Sequence, residues 1–235
     1  MKDSLIFHVS LGYNLINHDK ENQPWWDRVT EHIVLGALPF HDKNHRERLV
    51  QIENVGAVVI MCQDFEFNPI FGKPVSPLDW LESGVEVLHM PTEDFNAPNV
   101  TEISTAVSFI QEFLEKTNGS KSVYVHCKAG RGRSVAVVVC YLISSFGKTT
   151  DEAIEFIQKQ RPHINMGPEQ TLSCRTYEQV LYPDRLINLS LAPSESARIM
   201  NMISETISST FSQSQTETPS PPPDSLSPTV SILDS

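Results

Sequence analysis

Three segments follow one another between Ser122 and Ile143: a short strand-like run, a nine-residue loop and an apolar run. No other part of the 235-residue chain limits the fold as much. Ser122-Val123-Tyr124-Val125 is β-branched and aromatic, the pattern of a buried strand. Val135 to Ile143 is apolar nearly all round. It is long enough for a central buried helix, although its valines would also suit a strand. Between them lies His126-Cys127-Lys128-Ala129-Gly130-Arg131-Gly132-Arg133-Ser134. Gly130 and Gly132 let the backbone curl where a Cβ would obstruct it. A strand, a glycine turn and a helix start aim several backbone N–H groups at one point. With the positive end of the helix dipole they favour an anion there.

The residue types in the loop narrow the chemistry. Arg133 can clamp two phosphate oxygens with its planar fork. The backbone of Lys128, Ala129, Gly130, Arg131 and Gly132 would form the cradle. A free cysteine has a pKa of roughly 8.5, and a helix N-terminus with nearby cations lowers it by several units. Cys127 is therefore expected as a thiolate at neutral pH, able to attack phosphorus and form a cysteinyl-phosphate. Ser134 sits where its hydroxyl could hydrogen-bond the sulfur and help it leave. His126 is read as orienting the loop by hydrogen bonds and not as a proton donor. The competing reading is a buried structural thiol beside a passive anion site. The loop lacks the Gly-Lys-Ser/Thr ending of a nucleotide-binding loop and the second cysteine of a Cys-x-x-Cys redox pair.

Ester cleavage leaves an alkoxide that needs a proton from a general acid on another loop. Pro91-Thr92-Glu93-Asp94-Phe95-Asn96-Ala97-Pro98 follows a strand-like run, Val85 to His89, and precedes a helix expected to begin near Asn99. Asp94 is the first choice for the acid. Glu93 is its rival, because adjacent side chains on an extended segment point opposite ways.

These residues resemble the dual-specificity branch of the protein tyrosine phosphatase superfamily, and within it the mitochondrial phosphatidylglycerophosphate phosphatases. The resemblance spans about residues 5 to 180. It rests on Trp25-Trp26-Asp27-Arg28, Val34-Leu35-Gly36-Ala37-Leu38-Pro39, the strand Gly56 to Met61, the loop His126 to Ser134, and Arg161-Pro162-His163-Ile164. It implies a cysteine-phosphatase fold and hydrolysis of phosphatidylglycerophosphate to phosphatidylglycerol, the precursor of cardiolipin. It further implies no metal or other cofactor, an anionic phospholipid substrate, peripheral membrane contact, and the matrix side of the mitochondrial inner membrane. Lys128 and Arg131 fit an acidic headgroup, since extra cations favour a substrate more negative than one phosphotyrosine. Two departures stand out. The family's acidic Glu-Glu-Tyr-Glu loop reads Gln63-Asp64-Phe65-Glu66 here, and the stretch from Asp94 to Pro98 is one residue shorter. The alternatives are a dual-specificity protein phosphatase, a phosphoinositide phosphatase, and a phosphate-binding pseudoenzyme.

A formal net charge of −11 disfavours nucleic acid and anionic surfaces as bulk electrostatic partners. A monomer is the favoured state. Cys62, Cys127, Cys140 and Cys174 have no framework spacing and read as reduced thiols. Cys62 ends a core strand, and a reversible disulfide with Cys127 is weighed against a small buried apolar role. Strands are expected near 32–35, 57–61, 85–89 and 122–126. Asn44 is expected to cap a helix ending before Gly56. Ile103, Val107, Ile110 and Leu114 mark a helical face, Thr149-Thr150-Asp151-Glu152 forms a capping box, and Pro168 opens a last helix to about Val180. Strands alternating with helices imply an α/β fold, a central mostly parallel sheet flanked by helices. Residues 1–23 form an N-terminal segment, poorly matched to a presequence and either packed or interfacial. Residues 24–184 form the phosphatase domain. Residues 185–235 are read as a Ser/Thr/Pro-rich, mostly disordered tail; a short helix around Ser196 to Ile207 could form, and phosphosites at Thr218, Ser220 and Ser227 are weighed against a passive tail, which is favoured.

Overall fold

The structure, a computed structural model, describes residues 7–12, 23–70 and 72–188. The expected 196–207 helix and the Ser/Thr-Pro sites lie outside the described residues. Five strands form one sheet in the order β1-β2-β5-β3-β4. They are β1 (Trp26–Arg28), β2 (Ile33–Ala37), β3 (Val55–Ile60), β4 (Glu86–His89) and β5 (Ser122–Cys127). All neighbours are parallel except the edge pair β1–β2. The helices are α1 (residues 7–12), α2 (His45–Gln51), α3 (Pro77–Glu82), α4 (Val100–Lys116), α5 (Arg133–Phe146), α6 (Thr150–Gln160) and α7 (Pro168–Leu181).

The period-two pleat divides the core into two layers. Ile33, Leu35, Ala57, Val59, Val123 and Val125 pack against α4, α5, α6 and α7. Val34, Val58, Ile60 and Tyr124 pack against α1, α2 and α3 through Phe7, Leu11, Leu49 and Trp80. Helix α5 is buried from Arg133 through Ile143. Its valines have modest helix propensity, so burial on all sides overrides local preference. Capping boxes at Asn99 and Thr149 start α4 and α6, each satisfying two orphan backbone donors.

Two local expectations are corrected. Helix α2 ends at Gln51, well before Gly56, which lies inside β3. A Cβ at Gly56 would come within 2.8 Å of the Phe113 ring, so packing and not a helix end calls for glycine there. Asn44 precedes α2 in a left-handed conformation, and its side chain makes no capping bond. Strand β1 was not foreseen. Three residues ending in Asp27-Arg28 carry too little alternation to signal an edge strand. In α1, Phe7 and Leu11 stand one turn apart and both are buried.

Candidate active site

Parallel pairing of β2, β3 and β5 brings their carboxyl ends to one edge, where ligands of open α/β sheets bind. The loop from Cys127 to Arg133 leaves β5 at that edge and runs into α5. Its shape depends on Gly130 and on a second glycine beneath it. Gly130 has φ +64, and a Cβ there would lie 2.4 Å from the Gly36 carbonyl. A Cβ on Gly36 would in turn strike the Tyr124 hydroxyl at 2.4 Å. The Gly-Ala-Leu-Pro run is thus the floor on which the loop rests, and Leu38 N–H donates to the Lys128 carbonyl at 3.3 Å.

Arg161, fully buried, supports the loop from behind. Its Nε donates to the Gly130 carbonyl at 2.9 Å and its Nη2 to the Ala129 carbonyl at 3.4 Å, while Nη1 pairs with Asp27 at 2.6 Å. Carbonyls held outward leave the N–H groups of the same peptides free to turn inward. Burial outweighs mutual attraction in this pair: it raises the Asp27 carboxyl and lowers the Arg161 guanidinium from their ordinary values.

Cys127 is 3% exposed, with Ser134 Oγ donating to its Sγ at 3.3 Å. Burial pushes this thiol up. The positive charge of Arg133, the Ser134 hydroxyl, and the backbone N–H groups of Ser134 and Ala129 together overcome that and leave it below the ordinary cysteine value. Cys62 also feels the Arg133 charge, but burial first and then Glu66 hold its thiol well above the ordinary value. Cys62 and Cys127 are both free thiols.

Arg133 is held by a residue whose role the sequence did not disclose. Glu66, fully buried, accepts from Nη1 at 2.8 Å and from Nη2 at 3.0 Å. Thr92 O takes Nη1 at 2.8 Å, and Asp94 Oδ1 lies 3.1 Å from Nη2. A guanidinium has five N–H donors. With Nη1 committed, the edge formed by Nε and Nη2 is what Arg133 can present to a phosphate, once Asp94 yields Nη2. Burial lowers the guanidinium pKa, but the Glu66 bonds and the neighbouring thiols push it further up, so Arg133 stays cationic.

The acid loop settles the geometry between the two carboxylates. Asp94 reaches the cysteine loop, pairing with Lys128 Nζ and Arg133. Glu93 is exposed and accepts from Asn96 Nδ2 at 2.7 Å. Gln170 of α7 ties the two loops together: it donates to the Asn96 carbonyl at 3.0 Å and packs on Gly132, where a Cβ would strike it at 2.6 Å.

Lys128 is only 4% exposed. Its Nζ donates to Asp94 and to Ser10 Oγ at 2.7 Å, and it lies 5.7 Å from the Phe7 ring and 5.4 Å from the Phe95 ring. Arg131 donates from Nη2 to Gln23 at 2.9 Å. His126 is fully buried, stacks on Tyr124 at 5.2 Å, and makes only a 3.4 Å contact from Nδ1 to the Cys127 carbonyl. Burial above all pushes its pKa down to about 3. A neutral, packed ring thus supports the loop, with one long hydrogen bond to the Cys127 carbonyl and the rest of its hold from burial and stacking. Ser10, Asp94, Cys127, Lys128, Ala129, Arg131, Gly132 and Asn165 line a cavity of about 430 Å³, with Val9 and Phe95 at its rim.

The arrangement can bind a phosphate, hold a sulfur nucleophile behind it, and place one carboxylate beside it. Glu66 and the Arg161–Asp27 pair are the supporting groups that sequence reasoning missed. Glu66 stood in the sequence only as the last residue of the altered acidic loop, and Asp27 and Arg161 only as parts of matching motifs.

Residues 64–180 match the dual specificity phosphatase catalytic domain. The phosphatidylglycerophosphate phosphatase PTPMT2 of Arabidopsis thaliana is 33% identical over 183 residues, which is 76% of this chain and 74% of that one. The phosphatidylglycerophosphatase and protein-tyrosine phosphatase 1 of Mus musculus is 34% identical over 170 residues, 71% of this chain and 84% of its own length. The crystal structure of PTPMT1 in complex with PI(5)P matches with a TM-score of 0.60 at 32% identity, covering 69% of this chain and 99% of that one.

Proposed function

The chain belongs to the phosphatidylglycerophosphatase family of dual-specificity cysteine phosphatases, and on that footing we propose that it hydrolyses phosphatidylglycerophosphate to phosphatidylglycerol. The observation that carries this reading is the buried Lys128 cation beside Cys127 and Asp94, in addition to Arg133. A phosphotyrosyl peptide would need one anion site, whereas a glycerophosphate ester linked to a phosphodiester brings more negative charge.

In the proposed reaction the phosphate takes the Nε–Nη2 edge of Arg133 and the inward N–H groups from Lys128 to Gly132. The Cys127 thiolate attacks phosphorus as the P–O ester bond breaks, and Asp94 gives its proton to the leaving glycerol oxygen. Water then attacks the cysteinyl-phosphate, Asp94 takes a proton from it, and the Ser134 hydroxyl stabilises the departing thiolate. The product would supply cardiolipin synthesis at the matrix face of the mitochondrial inner membrane.

The test is phosphate release from a panel of phosphatidylglycerophosphate, phosphoinositides and phosphopeptides, with Cys127→Ser as the inactive control. Phosphatidylglycerophosphate should be turned over at least tenfold faster than any phosphopeptide. A preference for peptides would overturn the lipid assignment. A phosphoinositide is the second reading, since the related PTPMT1 structure contains PI(5)P.

A further inference from the structure

We propose that Val9 of α1 and Phe95 of the acid loop form an apolar rim that docks the cavity mouth onto a phospholipid bilayer. The inference rests on the lipid-substrate reading above and says how such a substrate is reached.

Helix α1 has two faces. Phe7 and Leu11 are sealed against the domain, while Val9, on the other side of the same turn, is 68% exposed. Across the cavity Phe95 is 69% exposed. Its backbone sits at φ +67, a left-handed conformation unusual for a bulky residue. Phe65 extends the apolar strip: it is partly exposed and meets the Phe7 ring edge-on at 5.5 Å. Phe95 faces Lys128 at 5.4 Å, but neither Val9 nor Phe95 is part of the core and neither offers a polar group to a phosphate.

Size and charge identify the occupant. A cavity of about 430 Å³ is roughly 9 Å across if it is taken as a sphere. One acyl chain is about 15 Å long, half the ~30 Å hydrocarbon core of a bilayer. The headgroup can enter and the tails cannot, so the mouth must open against the surface that holds the tails. The net charge of −11 opposes approach to an anionic leaflet through bulk electrostatics. Attraction must then be local, from apolar side chains at the rim and from Lys128 and Arg131 beneath it. Among the described residues no helix is long and apolar enough to cross a membrane. Two or three inserted side chains give weak, reversible binding, which suits an enzyme that must release a lipid product.

The experiment uses the full chain and vesicles of phosphatidylcholine and phosphatidylglycerol, which carry no substrate. Wild-type protein should co-sediment with them. Val9→Ser should weaken partitioning about tenfold. So should Phe95→Asn, chosen because asparagine tolerates the left-handed backbone. Val9→Ser should hydrolyse a soluble aryl phosphate at the wild-type rate, while its turnover of vesicle-embedded substrate falls in step with partitioning. Unchanged partitioning in both variants, or no wild-type partitioning, would overturn the proposal. So would a dimer in analytical ultracentrifugation that Val9→Ser dissolves, since the rim would then belong to a second copy. Vesicle binding lost in both variants, in a protein inactive on phosphatidylglycerophosphate, would support docking while removing the substrate reading.

Discussion

Arg133 and Arg161 are both sealed from solvent, and both are tied to carboxylates from distant segments, Arg133 to Glu66 and Asp94 and Arg161 to Asp27. They differ in what the surroundings do to their charge. Arg133 is pushed up, because the Glu66 bonds and the neighbouring thiols outweigh its burial. Arg161 is pulled down, because burial outweighs Asp27. The fold therefore favours the charge at Arg133 and merely tolerates it at Arg161. Arg161 contributes through the geometry of its donors: three backbone carbonyls, Pro24, Ala129 and Gly130, accept from one guanidinium. In the proposed reaction one arginine acts on the phosphate through charge and fork. The other acts on the loop through shape.

The largest effect should come from Arg133→Lys. The charge survives, but the Nε–Nη2 edge and the two bonds to Glu66 do not. Turnover should fall about 10³-fold, the scale seen when an aligned oxyanion donor is removed, with thermal stability changed far less. Steady-state kinetics and calorimetry on the same preparation separate the two. A variant that keeps a tenth of its activity would show that charge alone suffices.

Arg161→Ala should reverse that balance. It strands Asp27 and three carbonyls in a buried site, and breaking a buried pair costs about 3–5 kcal/mol. Urea unfolding should show a loss of that size. The folded fraction should keep more activity than Arg133→Lys does. A folded, stable variant with equally low turnover would place Arg161 in the chemistry and erase the distinction.

What was legible in the sequence follows the same division. The cysteine loop was readable because nucleophile, glycines, arginine and serine lie within nine residues, and their local chemistry is enough to assign the segment. Four of the five strands and the mostly parallel sheet followed from apolar runs and alternation, whereas the strand order and β1 did not, and the valine-rich run of α5 left helix and strand open. The supporting groups were not readable. Glu66 lies 67 positions from Arg133, and Asp27 lies 134 from Arg161. Nothing local distinguishes a carboxylate destined for burial beside an arginine from one left in solvent. Asp94 and Glu93 remained rivals for a related reason. They are adjacent on one loop, and only the turn that sends Glu93 to Asn96 decides which faces Lys128.

Isosteric neutralisation of each carboxylate sharpens the comparison with a smaller expected effect. Glu66→Gln keeps the shape but removes the charge that holds the Arg133 fork, so kcat/KM should drop about tenfold, or about 1.4 kcal/mol. Asp27→Asn removes a charge that burial already disfavours and keeps an oxygen for Arg161. It still leaves a buried guanidinium without its counter-charge, so stability should fall by about 1–3 kcal/mol, while kcat/KM of the folded protein should stay within about twofold of wild type. Equal losses in the two variants would mean that both pairs depend on charge in the same way.

The smallest effect is read through His126, whose pKa of about 3 reflects burial first and, among lesser causes, the positive charge of Arg133. In the unfolded chain this histidine titrates near 6.5. Between pH 6.5 and 3 the unfolded state binds a proton that the folded state refuses, so stability falls as pH falls. Over the single step from pH 7 to pH 6 the expected loss is about 0.7 kcal/mol, against a full slope of about 1.4 kcal/mol per unit lower down. Cys127 has the same sign. A depressed thiol pKa gives stability that is present above the ordinary value and lost as pH falls through the folded one. The measurement therefore compares urea unfolding of Cys127→Ser with that of Cys127→Ser/His126→Asn at both pH values, so that other titrating groups cancel. The second protein should lose about 0.7 kcal/mol less between pH 7 and pH 6. Identical losses would show that His126 takes up protons in the fold as it does in the unfolded chain, so that neither burial nor the field of Arg133 holds it neutral.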